Sequence, residues 1–245
     1  MGQKRKAGDD MNNRSVFITG TDTGVGKTVV TGLLARFLLE QGLRTATQKW
    51  IQTGCDGFSQ DIDSHLKLMM RTRDEYEGYI RDMEPCVLNF PASPHLAARI
   101  EEKVIDIDKI IRSWKRLESE FEAVVVEGAG GVMVPVDEET MIVDMCGDAG
   151  IPVIIVAANR LGSINQTVLT VEALRKRGVD IVGVVFNRMC KDENEEITAD
   201  NPRITRQITG VDILGDLPRE DDPERLYRMF LPMGRKILKK WRQHG

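Results

Sequence analysis

Apolar positions along the chain fall into two different spacings. Short, nearly unbroken runs occur at Val16-Phe17-Ile18, through Thr45 to Lys49, at Ala123 to Val126, Val153 to Ala157, Ile181 to Phe186 and Val211 to Leu214. Runs of this kind, without polar alternation, predict strands covered on both faces. Between the first two, Val29, Leu33, Leu34, Phe37 and Leu38 recur at helical spacing. They predict a helix over 28–41, stopping at Gly42, a good left-handed C′ residue. Helical patterns also separate several of the later runs, so the order predicts an α/β fold. Its sheet is mostly parallel, its crossovers are right-handed, and helices flank both faces. Ligands in such folds sit beyond the carboxyl ends of the strands, and the residues just after each run therefore carry the functional reading.

Composition narrows the class. The chain has 245 residues, 41% hydrophobic and 29% charged, which suits one large soluble α/β domain over 15–245. No apolar run approaches the roughly 18 residues of a membrane span. Residues 1–14 are polar, lack the apolar core of a signal peptide, and are expected to be a disordered extension or a remnant foreign to the fold. The net charge of −4 gives no overall argument for nucleic acid, although basic residues gather near the C-terminus. Cys55, Cys86, Cys146 and Cys190 form no C-x-x-C pair, so a disulfide framework or zinc site is not expected and a reducing cytoplasm fits.

The candidate chemistry begins after the first run. Gly20-Thr21-Asp22-Thr23-Gly24-Val25-Gly26-Lys27-Thr28 reads as a phosphate-binding loop, which makes the fold a P-loop NTPase. Backbone N–H groups and a helix N-terminus face the phosphates, Lys27 reaches the β/γ oxygens, and the Thr28 hydroxyl coordinates Mg²⁺. Five residues separate Gly20 from Gly26, one more than in the standard pattern. The second run ends in Lys49, with Thr53 close behind; a cation at that edge would neutralise a transferring phosphoryl group. The run at Ala123 to Val126 leads into Glu127-Gly128-Ala129-Gly130-Gly131. A strand-end carboxylate followed by small residues suits Mg²⁺ coordination with close backbone approach to a ligand. Asp61 and Asp63 precede the apolar Leu66, Leu68 and Met69; either could be a helix N-cap, and Asp63 is the one read as a metal ligand.

Taken in order, these segments resemble dethiobiotin synthetase from about Ser15 to Pro218. The lengthened phosphate loop matches, and Lys49-Trp50-Ile51-Gln52-Thr53-Gly54 is similar to the family's Lys-Pro-x-x-[ST]-Gly. Ser93-Pro94-His95, Val126 to Gly131 and Leu161-Gly162-Ser163-Ile164-Asn165 resemble three further signatures. Trp50 stands where the family usually has Pro, and Gly24 where some members carry Glu. The resemblance implies ATP- and Mg²⁺-dependent closure of 7,8-diaminononanoate and CO₂ to dethiobiotin through a carbamate and a carbamic-phosphoric anhydride. Lys27 and Lys49 would flank the γ-phosphoryl group and the carbamate, with Thr23 and Thr53 near the carbamate and the diamine. Thr28, Asp63 and Glu127 would hold Mg²⁺. The loop from Thr21 through Val29 would bind ATP, with Asn187 reading adenine and Pro218 beside the base. Gly128 to Gly131 and the helix start at Ser163, Ile164 and Asn165 would meet the substrate, the latter from a partner subunit in a homodimer.

Two other classes compete. A related ATP-dependent amidoligase or carboxylase would act on another acid or amine. A ParA/MinD-like nucleotide-switch ATPase has a similar loop, and the basic tail Gly234 to Arg242 could lie on a membrane. That group, however, carries an extra Lys five residues before the loop Lys, and here the position is Asp22. The tail is instead expected to be a basic surface helix packed through Leu226, Met229, Phe230, Ile237 and Leu238.

Overall fold

A computed structural model describes residues 14–243 of the chain. The expected extension over 1–14 lies, except for Arg14, outside the described residues. In chain order the elements are β1 (Ser15–Gly20), α1 (Lys27–Glu40), β2 (Thr45–Lys49), β3 (Gln52–Thr53), α2 (Gln60–Leu68), α3 (Ile80–Met83) and β4 (Val87–Leu88). They continue with α4 (Pro94–Ile100), α5 (Ile107–Glu120), β5 (Ala123–Gly131), α6 (Ile142–Ala149), β6 (Val153–Ala158) and α7 (Ser163–Lys176). The last are β7 (Ile181–Asn187), α8 (Glu195–Thr209), β8 (Ile213–Leu217) and α9 (Pro223–Trp241).

The sheet has six strands in the order β2-β5-β1-β6-β7-β8, and every pairing is parallel. Its central strands are buried along their length, as continuous apolar runs covered on both faces require. Helices flank the sheet, α1 against β1, β2 and β5, and α7 against β6. The expected P-loop α/β fold is the one observed. Because β1 lies between β5 and β6, the loop after β1 opens at the point where the strand order reverses, the usual ligand crevice of such sheets.

The strands β5 and β8 depart most from the apolar runs that predict them. β5 runs on from Val126 to Gly131, because its glycine-rich end stays paired to β1, with Gly131 opposite Gly20. A Cβ on Gly128 would come within 2.6 Å of the Phe17 ring, so the strand can pass there only as glycine. The last strand begins at Ile213 rather than Val211. Gly210 closes α8 in a left-handed conformation at φ 68°, and Val211 N–H is held by Thr209 Oγ1. Pairing with β7 starts only at Ile213.

The C-terminal helix buries Phe230, Ile237 and Trp241, and Trp241 Nε1 donates to the Ser15 carbonyl at 3.1 Å. Its apolar face is therefore spent on the core rather than offered to a lipid surface. Met229, expected on that face, is instead exposed. No described helix is long and apolar enough to cross a membrane.

Candidate active site

The phosphate loop takes its shape from two glycines, Gly24 at φ 74° and Gly26 at φ 98°. Side chains rarely adopt this left-handed region. Gly26 is also the N-cap of α1, so Lys27 and Thr28 form the first turn with their N–H groups directed out of the helix end. Lys27 Nζ donates to the Asp22 carbonyl at 2.9 Å. Burial, with the nearby Lys49 charge, lowers the Lys27 ammonium to about 8.

Across the crevice, the β2–β5 register sets Lys49 directly beside Glu127. Lys49 Nζ donates to Glu127 Oε1 at 2.7 Å and to the Gly128 carbonyl at 3.2 Å, and pairs with Asp61 Oδ2 at 2.6 Å. Burial by itself would favour a neutral Lys49, but the two carboxylates outweigh it and its pKa is raised. Burial likewise opposes the Glu127 charge, while Lys49 and the His65 hydrogen bond outweigh it and hold the carboxyl well below its usual range.

Trp50, the departure from the family's Pro, is part of this edge. Its backbone N–H donates to the Glu127 carbonyl at 3.1 Å, a bond that Pro cannot make. Its ring is buried, 4.6 Å from that of Phe17, and donates to Gln48 Oε1. The side chain packs behind the sheet edge and does not line the cavity.

The cavity between these parts measures about 800 Å³. Of the expected residues it is lined by Thr23, Gly24, Gly26, Lys27, Thr28 and Val29 of the loop region. From the other elements come Lys49, Thr53, Glu127, Ala129 and Gly130. Thr21, Asp22 and Val25 of the loop and Gly128 and Gly131 of β5 do not line it. Gln52, Pro91, Val134 and Met189 also line it, residues for which the sequence carried no signal.

The donor set suits a hard divalent cation. Thr28 Oγ1 lies 3.3 Å from Asp61 Oδ1 and 3.1 Å from Glu127 Oε1. One hydroxyl proton cannot serve both oxygens. Adjacent ligands of an octahedral Mg²⁺, at about 2.1 Å from the metal, stand about 3 Å apart. No group of three or more His, Cys, Asp or Glu side chains among the described residues could hold a metal by itself. Two carboxylates and a hydroxyl beside a phosphate loop could hold a cation only if substrate phosphates supplied its remaining ligands.

Asp63 requires a correction. Its carboxylate accepts from Arg73 Nε at 2.6 Å, away from Thr28 and Glu127, and Asp61 occupies the position expected of it. Neither aspartate is the helix cap. Ser59 is, accepting from Ile62 N–H, while its hydroxyl donates to Gln52 Oε1. With the cap at Ser59, Asp61 and His65 stand four residues apart on one face of α2, and Asp63 turns aside. His65 Nε2 lies 2.7 Å from Glu127 Oε2; the Asp61–His65 spacing was the signal that could have found it.

Asn187 is the last residue of β7, and its side-chain amide donates to the Val25 carbonyl at 2.9 Å. It therefore braces the phosphate loop. A Cβ on Gly26 would come within 2.1 Å of that amide nitrogen. Pro218, Ser163, Ile164 and Asn165 do not line the cavity. Ser163 Oγ is buried without a hydrogen-bond partner, and Asn165 is exposed.

A family model described as an AAA domain matches residues 14–225. The chain is 41% identical to the ATP-dependent dethiobiotin synthetase BioD of Chlorobaculum tepidum, over 95% of this chain and 98% of that protein. It is 37% identical to the BioD of Thermodesulfovibrio yellowstonii, over 82% and 87%. Among solved structures, the cell division ATPase MinD of Pyrococcus furiosus superposes with TM-score 0.58 at 18% identity, covering 92% of this chain and 98% of that one. At that identity the likeness is one of fold.

Proposed function

The chain belongs to the ATP-dependent dethiobiotin synthetase family, and on that premise we propose how its residues carry out the reaction. The function is that of a ligase of biotin biosynthesis: 7,8-diaminononanoate, CO₂ and ATP give dethiobiotin, ADP and phosphate. The observation that carries the residue assignment is Lys49, buried between Asp61 at 2.6 Å and Glu127 at 2.7 Å beside the phosphate loop.

One amine of the diamine adds to CO₂ and loses a proton, giving a carbamate. A carbamate oxygen then attacks the γ-phosphorus and ADP leaves, forming a carbamic-phosphoric anhydride. The second amine attacks the carbonyl carbon, loses its proton, and expels phosphate to close the urea. The carbamate attacks as an anion, and ADP and phosphate leave as anions, so the protein's main task is charge neutralisation and alignment. Lys27 serves the β/γ oxygens from the loop side. Lys49 faces the γ-phosphoryl group and the carbamate oxygens from the β2–β5 edge. Thr23 and Thr53, on opposite walls, orient carbamate and diamine by hydrogen bonds. Thr28, Asp61 and Glu127 would hold Mg²⁺, which supplies charge neutralisation on the phosphate oxygens.

At the adenine end, Asn187, next to the loop, and Pro218, after β8, would border the base. The N-terminus of α7, with Ser163, Ile164 and Asn165, would receive the substrate carboxylate in a homodimer. Support for that pairing is the exposed Asn165 near Leu161, which is 82% exposed, with the Ser163 hydroxyl buried and unpartnered between them. Residues 15–245 act as one domain in this reading, and the enzyme works in the cytoplasm.

Phosphate release with ATP, Mg²⁺ and bicarbonate, with and without the diamine, tests this, together with product mass. Diamine-dependent release is expected to fall by about 10³-fold or more in Lys49→Ala, the scale of losing a transition-state charge contact. Release indifferent to the diamine would sink the proposal.

A further inference from the structure

His65 takes no direct part in the chemistry above, yet it is fully buried and touches its most buried carboxylate. We propose that His65 is a positioning residue that fixes which oxygen of Glu127 faces the cation site. This rests on the reading of Thr28, Asp61 and Glu127 as Mg²⁺ ligands.

The two oxygens of Glu127 have separate partners. Oε2 meets His65 Nε2 at 2.7 Å, whereas Oε1 meets Thr28 at 3.1 Å and Lys49 at 2.7 Å. A carboxylate can only accept, so the imidazole proton in this contact is on Nε2. Held at Oε2, the carboxylate cannot rotate without losing that bond, and Oε1 stays turned toward Thr28 and Asp61. Hydrogen bonds of this type to metal-binding carboxylates govern ligand orientation elsewhere.

Two further observations separate this from ordinary packing. His65 Nδ1 is buried with no hydrogen-bond partner among the described residues. An apolar side chain of similar size would avoid that cost, so the ring is not explained by stability alone. The close approach of α2 to α1 also depends on Gly32. A Cβ there would meet the Leu68 side chain at 2.7 Å and His65 Cα at 3.3 Å. The helix is thus seated near enough for an imidazole to span to β5.

The test uses the full chain and Mn²⁺ as the metal probe, with free Mn²⁺ followed by electron paramagnetic resonance in the presence of ADP. His65→Leu is expected to weaken Mn²⁺ binding about tenfold or more, with metal-free ADP affinity unchanged. His65→Gln, whose amide N–H can still reach Glu127, should recover most of the loss. Undiminished Mn²⁺ affinity in a folded His65→Leu protein overturns the proposal, as does a loss of metal-free ADP binding equal to that of Mn²⁺. Should His65→Leu fail to fold, His65→Gln and His65→Asn decide. The shorter Asn must bind Mn²⁺ more weakly than Gln, and equal affinities refute the role. Asp61→Asn and Glu127→Gln stand as controls: if they bind Mn²⁺ normally, the metal reading itself fails, and this inference with it. If they lose Mn²⁺ and His65→Leu does not, only the role of His65 fails.

Discussion

At the phosphate end of the cleft, Lys27, Lys49, His65 and Glu127 come from α1, β2, α2 and β5 and are all buried. Lys49, Glu127 and His65 are each within hydrogen-bond distance of an opposite or acceptor group. At the start of α7, Asn165 is exposed and Ser163 Oγ has no partner. The difference follows from solvation. A charge removed from water must find its partner within the same fold, because an unpaired buried charge is too costly to keep. A side-chain amide in water, such as that of Asn165, needs no partner within the fold. The first region therefore closes on partners within the chain, whereas the start of α7 leaves an exposed amide and an unpartnered hydroxyl.

The largest expected effect sharpens the first half of that contrast. Asp61→Asn should raise the Mg²⁺ requirement of turnover by about 10- to 100-fold. Asp63→Asn, two residues away and tied to Arg73, should stay within about twofold. Equal effects, read from Mg²⁺ titrations of both variants, would break the assignment of Asp61 to the buried cluster.

A pH dependence tests whether Lys27 belongs to the same low-solvent region. Burial brings its folded pKa down to about 8, and nucleotide phosphates favour the charged form. Binding therefore takes up a proton near pH 8, and affinity is full below that value and falls as pH rises through it. Metal-free ADP should bind about tenfold more weakly at pH 9 than at pH 7, as one proton linked to binding requires. Calorimetry at pH 8 in buffers of different ionisation enthalpy should report that proton, and a flat profile would place Lys27 in solvent.

The smallest effect probes the open region. Asn165→Ala should raise KM for 7,8-diaminononanoate about fivefold, the loss of one exposed hydrogen bond, with KM for ATP unmoved. A variant that changed both constants together would couple α7 to the nucleotide site and erase the contrast.

Legibility in the sequence follows the same division. The phosphate loop, Lys49 and Glu127 could be read because each follows an apolar run, and a parallel sheet brings all strand ends to one edge. Asp61 and Asp63 are not distinguished by the local sequence, because which of them faces the crevice depends on the phase of α2, and that phase is set by the Ser59 cap and its bond to Gln52. The Asp61–His65 spacing puts His65 on the face of Asp61, but its partner Glu127, 62 positions away, is fixed only by the tertiary structure. The start of β8 falls two residues later than the apolar run because Thr209 and Gly210 hold Val211 out of the ladder. Met229 was counted with the apolar face of α9, yet it is 44% exposed.

By itself the sequence determined the α/β order, the nucleotide loop and the two strand-end charges, because these depend on local periodicity and on spacing within single segments. The tertiary structure decided which aspartate reaches the crevice, that Trp50 bonds through its backbone to Glu127, that Asn187 braces the loop, and that His65 supports Glu127. Each of those depends on the register between distant strands or on how closely two helices pack, and such distances are set only when the whole core closes.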